Sequence, residues 1–470
     1  MADNTGITAG FDFPRLGSIV ARRARLVFPV VGWMCWHMAF AQDARAISEP
    51  VVPPSCTVLS ATLADPDALT DSDDTARLQQ AIDHCPAGQA VQLTGDGGKR
   101  AFVSGPLTLR SGVTLLIDAG ATLYASNDPR MYDKGEHTCG TNNGTGKGCK
   151  PFISVADARG SGIMGDGAID GQGGKTMLGK RETWWQLARR AQKEHLSQNV
   201  PHLITIDRST DFTLYRITLR NSLEYHVVMH RVDGFTAWGV KIDTPGDARN
   251  TDGIDPISSR NVTVTHSYIR AGDDNISIKS GSEGPSENIS IVHNHFYAGH
   301  GMSIGSNTDG GVRHVLVDDL SMDGTTSGLR IKSDVSRGGL VSDIHYDDIC
   351  LRGVRAPLDV DTAYTRDAHG DKIPLYRDIF FDRVHSVTPG RFIFQGVDDR
   401  HPLGIALSDV VIDGFADVNA AHAHFTLGPG AVRPIPSGSD VQTEGVAGTG
   451  AGIACEGRFE PFPIAGANVK

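Results

Sequence analysis

Six side chains in the stretch 250–332 could do chemistry together. Asp252 lies in Asn250-Thr251-Asp252-Gly253, Asp273 and Asp274 follow Gly272, His300 stands between Gly299 and Gly301, and Arg330 and Lys332 flank Ile331. Adjacent carboxylates repel one another's charge, so at least one aspartate holds its proton more tightly than usual. One carboxyl that gives a proton beside another that takes one is the equipment for glycosidic hydrolysis. The imidazole, framed by glycines, can bond a carboxylate and tune its proton affinity. Arg330 and Lys332 share one strand face, and two cations there suit a carboxylate on a substrate. Each feature also has a plainer reading. The Asp-Asp pair could be a solvated acidic turn or a calcium site, the histidine a surface residue, and the cations partners of the nearby aspartates.

What favours the joint reading is recurrence. The clusters follow one another at roughly twenty-five residues, with alternating segments such as Val262-Thr263-Val264 and Ile289-Ser290-Ile291 between them, the mark of a solenoid. Coils that pair by strand hydrogen bonds stack about 4.8 Å apart, so the six side chains become neighbours on one wall. Alternation along Asp273, Asn275, Ser277 and Lys279 points these outward and Ile276 and Ile278 inward. Asp274 has the inward parity, and reaches the surface only if the chain kinks near Gly272. Similar apolar triplets continue from Phe212-Thr213-Leu214 to Val410-Val411-Ile412, often preceded by Asn, Asp or Gly, which suit a coil's tight corners.

The remaining chain fits one domain grown along one axis. Residues 75–83 read as a short amphipathic helix with Asp74 available as N-cap, placed to close the solenoid's first end. Residues 182–194 read as a second helix. Its Trp184 and Trp185 could offer a sugar platform, but adjacent helical residues point in different directions, so at least one is packing. After 428 the pattern dissolves into a Gly/Pro-rich stretch that reads as a flexible extension, 429–470, rather than a second domain. The net charge of −11 argues against a nucleic-acid binder, and any acidic substrate would need local cations.

At the start, Arg15, Arg22, Arg23 and Arg25 precede a short apolar run, and Ala39-Phe40-Ala41 supplies a small-x-small cleavage signal. Residues 1–41 therefore read as a signal-peptide region with Gln42 as the mature start, and the protein is expected to be secreted and extracellular. A short membrane anchor is the alternative, and the paired arginines are a weak hint of a twin-arginine route. Beyond Cys35, six cysteines remain, an even number that favours disulfides over metal ligands in an exported chain. Proximity suggests Cys56 with Cys85 and Cys139 with Cys149, whereas Cys350 either pairs with Cys455 or stays buried and free. No His/Cys ligand set is apparent, so neither a metal nor another cofactor is expected.

NTDG, GDD, GHG and RIK in this order resemble the polygalacturonases of glycoside hydrolase family 28, and wording such as NTDGIDPISSRN and GHGMSIGS is most similar to bacterial endo-polygalacturonases of plant pathogens. The resemblance reaches about residue 420 and includes Ala356-Pro357-Leu358-Asp359-Val360-Asp361-Thr362-Ala363-Tyr364, similar to a family segment ending in a substrate-contacting tyrosine. It implies an all-β, right-handed parallel β-helix over 42–428 and hydrolysis of α-1,4-galacturonosyl linkages in pectin. Demethylated chains are expected because the cations need free carboxylates. Inversion is expected separately, if lateral offset extends the one-coil step between Asp252 and Asp273 to the roughly 6.5–9.5 Å that admits a water. The resemblance further implies Asp273 as general acid, Asp252 with Asp274 as the pair activating water, and His300 as support for the acid's ionisation. Arg330, Lys332 and Tyr364 would contact the sugar carboxylate and ring. The expected partner is polygalacturonate, with no nucleic acid, no stable membrane association and a monomeric protein. Exo action, a rhamnogalacturonan substrate, a calcium-dependent pectate lyase and a non-catalytic β-helix adhesin remain the competing readings.

Overall fold

The computed structural model describes residues 42–68, 73–143, 146–414, 417–438 and 440–463. Within them the chain winds as a right-handed parallel β-helix. One wall is an eleven-stranded parallel sheet from Leu107–Thr108 to Asp417–Ala421, and a twenty-one-stranded sheet forms the other sides. The expected triplets all fall in strands, and their register explains why. Ile254 pairs with Ile276, Ile276 with Met302, Met302 with Leu329, and Leu329 with Leu358, so one buried column runs through five coils. The isoleucines suit a pleated surface, and each fully buried side chain of the column contributes about 1.5–3 kcal/mol.

Outward positions of the same wall alternate with that column. Ser277, Ser303, Arg330 and Asp359 follow one another across coils, and Lys332 sits between Gly305 and Asp361. A register shift between Ile278 and Ser280 widens the ladder beside Gly305. Inward parity builds the core, and outward parity carries charge.

The helix expected over 75–83 is Thr75–His84, with Leu78 and Ile82 buried in the core. Asp74 precedes it but makes no cap bond. Its carboxylate accepts instead from the Val103 N–H at 2.9 Å and Arg77 Nε at 2.6 Å, tying the helix to the first coils. The second helix is Trp184–Lys193, opened by a capping box between Thr183 and Gln186. Trp184 is fully buried against Tyr132, and Trp185 donates its ring N–H to the Ser222 carbonyl at 2.8 Å. Neither indole lines the acidic cleft described below.

Both proximity pairings form, Cys56–Cys85 and Cys139–Cys149, and Cys350 is joined to Cys455. The third bond bears on the stretch after 428, expected as a flexible extension. Its strand Val441–Gly445 instead pairs with Ala423–Leu427, continuing the coil. Arg458 then bonds Asp348 at 3.0 Å and also pairs with Asp319, while the Tyr297 hydroxyl donates to the Glu460 carbonyl at 2.7 Å. Composition misses this because the anchors are single contacts to distant coils, not a local pattern. The expected signal region, residues 1–41, lies outside the described residues. No helix among the described residues is long and apolar enough to cross a membrane.

Candidate active site

Backbone turns between strands place the carboxylates. Thr251 Oγ1 donates to the Ala248 carbonyl at 2.7 Å and accepts from the Gly272 N–H at 3.0 Å, pinning the two acidic segments together. A Cβ at Gly272 would collide with the Ala248 carbonyl, so only glycine permits this approach. The turn is the kink that Asp274 needs, since regular strand resumes only at Ile276. Asn275 does not point outward as alternation suggested. It is fully buried, donating to the Ile269 carbonyl at 2.9 Å and accepting from the Gly301 N–H at 2.9 Å. Strand parity fails there because the residue is in the turn, where it holds the neighbouring coil.

His300 owes its position to that clamp and to its glycines. Gly299 and Gly301 have φ of 70° and 79°, in the left-handed region, and both lie against carbonyl oxygens of adjacent coils. The imidazole Nδ1 is then 2.9 Å from Asp273 Oδ1 and 4.0 Å from Asp274 Oδ1. Asn250 Nδ2 approaches the other Asp273 oxygen at 3.5 Å.

The three aspartates differ in environment. Asp274 is buried and accepts from Lys332 Nζ at 2.7 Å and Ser303 Oγ at 2.8 Å, with Arg330 Nη1 3.9 Å away. Burial alone would raise its pKa, but Lys332, Arg330 and Lys279 together lower it to about 2. Asp252 is also buried, and there burial followed by the nearby Asp255 charge pushes the pKa well above the usual carboxylate range. Its Oδ2 is 3.2 Å from Lys279 Nζ, while its Oδ1 is buried without a hydrogen-bond partner. Asp273 is held below the usual range: burial, the largest single influence, opposes this, and the hydrogen bond and charge of His300 together with the Lys332 ammonium outweigh it. One member favours its proton and another its charge.

These groups line one cleft of ≈ 540 Å³ together with Arg330, Lys332 and Tyr364. Every expected site residue is therefore brought together. Tyr364 is 41 % exposed, with the Arg330 guanidinium 5.2 Å and the Lys332 ammonium 5.3 Å from its ring centre. Arg330 Nε also pairs with Asp359 at 3.1 Å. The cations thus do serve the aspartates, the plainer of their two roles, while still facing the cleft.

Sequence reasoning assigned no role to Lys279, Asp255 or Tyr225. Lys279 bridges Asp252 and Asp255, and its ammonium lies 5.0 Å from the Tyr225 ring centre. The outward parity of Lys279 was the available signal. Asp255 sits one residue beyond Ile254 and would have followed from the same alternation. Asp273, Asp274 and His300 also present ligand atoms within 4.8 Å of one another, as a metal site would. The ammonium on Asp274 and the guanidinium beside it already occupy the positive role there, so the donor set fits proton transfer better than a divalent cation.

The family model for glycosyl hydrolases family 28 matches residues 103–426. An endo-polygalacturonase from Pectobacterium carotovorum subsp. carotovorum is 46% identical over 374 residues, covering 79% of this chain and 90% of that protein. A polygalacturonase from Ralstonia solanacearum is 39% identical, covering 88% of this chain and 92% of its own. Among solved structures, the polygalacturonase from Erwinia carotovora ssp. carotovora aligns with a TM-score of 0.77 at 42% identity, over 82% of this chain and 100% of that one.

Proposed function

The chain belongs to glycosyl hydrolases family 28, and from that premise we propose that it is an endo-polygalacturonase, hydrolysing α-1,4-galacturonosyl linkages within demethylated pectin with inversion. The observation that carries the reading is the meeting of Asp252, Asp273 and Asp274 with Arg330 and Lys332 in one cleft. The resemblance to the Pectobacterium endo-polygalacturonase supports the internal mode of attack.

In this reading Asp273 is the general acid. Bound galacturonates add negative charge and exclude water, and both effects favour a proton on the Asp273 carboxyl. That proton goes to the glycosidic oxygen as the C–O bond breaks and its electron pair leaves with the oxygen. Water attacks the anomeric carbon from the opposite face and yields its proton to Asp252 in its ionised form, which burial makes the stronger base of the pair. Asp274, held ionised by Lys332, orients the water and stabilises the oxocarbenium-like charge. Arg330, Lys332 and Tyr364 bind the sugar carboxylate and ring.

The deciding experiment analyses products released from polygalacturonate, with and without a strong chelator. A spread of saturated oligomers with the β configuration in the first-formed product is expected, unchanged by chelation. Monomer or dimer from the start would mean exo action, unsaturated ends a lyase, and retained α configuration a double displacement.

Masking the substrate carboxylates should also matter. Highly methylated pectin is expected to be a poor substrate. Lys332→Ala should weaken galacturonate binding by about 2–5 kcal/mol, because it removes a desolvated charge and leaves Asp274 less compensated. Equal rates on methylated and free chains would show these cations to be misassigned.

Residues 1–41 are the export signal in this reading, and the catalytic coil begins after them. Three disulfides suit an oxidising, extracellular setting, where the protein would act as a monomer without stable membrane association.

A further inference from the structure

Outside the cleft, the ends of the strands Ala168–Asp170, Thr218–Arg220, Lys241–Asp243 and Tyr268–Arg270 form a second column along the coil axis. Register makes it continuous: Tyr124 pairs with Asp170, Asp170 with Arg220, Arg220 with Asp243 and Asp243 with Arg270. The column goes on through Tyr297, Asp323 and Arg352, where the C-terminal segment covers it. Phe462 lies 4.5 Å from the Arg270 guanidinium and Phe459 4.4 Å from that of Arg352. The earlier half, from Tyr124 to Arg270, is open. It is hollowed into two adjoining grooves of ≈ 360 and ≈ 560 Å³ that share Asn221 and Pro245. Of their lining, only Gly246 also lines the acidic cleft.

Charge sets this surface apart from the cleft. Every charged side chain lining it is paired: Arg220 with Asp170 at 2.9 Å, Arg270 with Asp243 at 2.6 Å, and Lys175 with Asp67. With no cation left over, and a net charge of −11 on the chain, it offers a polyanion no attraction. The second distinction is Trp185. Its ring lies against the bare backbone of Gly173 and Gly174, where a Cβ would meet ring atoms at 2.4 and 2.6 Å, and its N–H already donates to Ser222. The half-buried indole is therefore fixed before any ligand arrives, and it lines the same hollow as Tyr124. Sugar rings present C–H faces that suit the electron-rich face of an aromatic ring, and hydroxyls that suit paired groups such as Arg220–Asp170 and the Asn221 amide. Phe459 and Phe462 show that this column receives a flat carbon surface over a guanidinium paired with a carboxylate.

We propose that the open half of this column is a second carbohydrate site, outside the catalytic cleft, that takes a neutral oligosaccharide lying along the coil axis over Trp185 and Tyr124. Its four coil steps span about 19 Å, room for a short stretch of chain. The pectin reading supplies only the setting. A neutral portion of the polymer held here keeps the enzyme on a substrate whose acidic portion is cut in the cleft.

The test titrates the Asp273→Asn protein with neutral galactotetraose and, separately, with tetragalacturonate, which has the same sugar ring but a carboxylate on each unit. Galactotetraose should bind saturably and independently of salt, whereas tetragalacturonate binding should weaken as salt rises. Trp185→Ala and Tyr124→Ala should each lower affinity for galactotetraose about tenfold and leave that for tetragalacturonate unchanged. Tyr124 lies on a strand apart from the helix, so its variant reports even where loss of Trp185 disturbs packing. In the active protein both variants should cut tetragalacturonate at the parental rate. No saturable binding of galactotetraose, or equal affinity in parent and both variants, would overturn the proposal. Loss of tetragalacturonate affinity instead would make the hollow an extension of the cleft and overturn it too. If the active parent binds galactotetraose through Trp185 and Tyr124 yet leaves polygalacturonate uncut, the hydrolase reading fails and this site stands.

Discussion

Asp273→Asn is expected to lower kcat on polygalacturonate by about 10²–10⁴-fold while leaving affinity for the polymer nearly intact. The amide keeps the shape of the carboxyl and its contact with Asn250, but it cannot deliver a proton to the departing oxygen. The loss should therefore appear in kcat, as for an interaction made only in the transition state. A galacturonide with an activated phenol as leaving group needs little protonation, and it should be cut by the variant with a much smaller deficit. Comparable deficits on both substrates would remove Asp273 from the acid role. Asp252→Asn supplies the contrast, since its defect in water activation should persist whatever the leaving group.

Lys279 carries the second large effect. Its ammonium is the cation that contacts both Asp252 and Asp255, two buried carboxylates that each have an oxygen without a partner. Lys279→Met should destabilise the fold by about 3–5 kcal/mol near neutral pH, because both charges are left uncompensated. Burial already raises the pKa of Asp252 and of Asp255, and loss of the lysine raises both further. A carboxyl whose folded pKa is raised contributes stability below its unfolded pKa and loses it as pH rises through the folded value. The penalty should therefore be small at about pH 4 and grow toward pH 7.5, the two ends bracketing the raised window above the usual carboxylate range. Urea unfolding of parent and variant at both pH values checks this. An equal penalty at each would mean that Lys279 acts by packing rather than charge. In activity, the acid limb of the pH–rate profile should move upward, since Asp252 must be ionised to take a proton, and Lys279→Arg should restore part of it.

Both expectations use residues whose placement could be read from sequence, with charge states that could not. Recurrence of NTDG, GDD, GHG and RIK determined that Asp252, Asp273, Asp274, His300, Arg330 and Lys332 share a wall. Parallel pairing has a fixed spacing, and apolar alternation encodes its register, so local patterns suffice. The inward column through Ile276 and Met302 followed in the same way. Asn275 broke the rule because parity holds only inside a strand, and the turn at Gly272 extends past it.

Tertiary structure decided the rest. That Asp274 is ionised while Asp252 favours its proton depends on which cation lies within hydrogen-bond reach in a buried setting. Coulomb energies there change steeply over an ångström, a scale that alternation along a strand does not encode. The Cys350–Cys455 bond and the docking of Arg458 on Asp319 and Asp348 span more than a hundred residues and belong to no repeat. The sequence by itself determined which residues meet, because hydrogen-bonded register is a local property. Only the folded coil decided which charges are paired and where the tail returns, because those follow from lateral distances between coils.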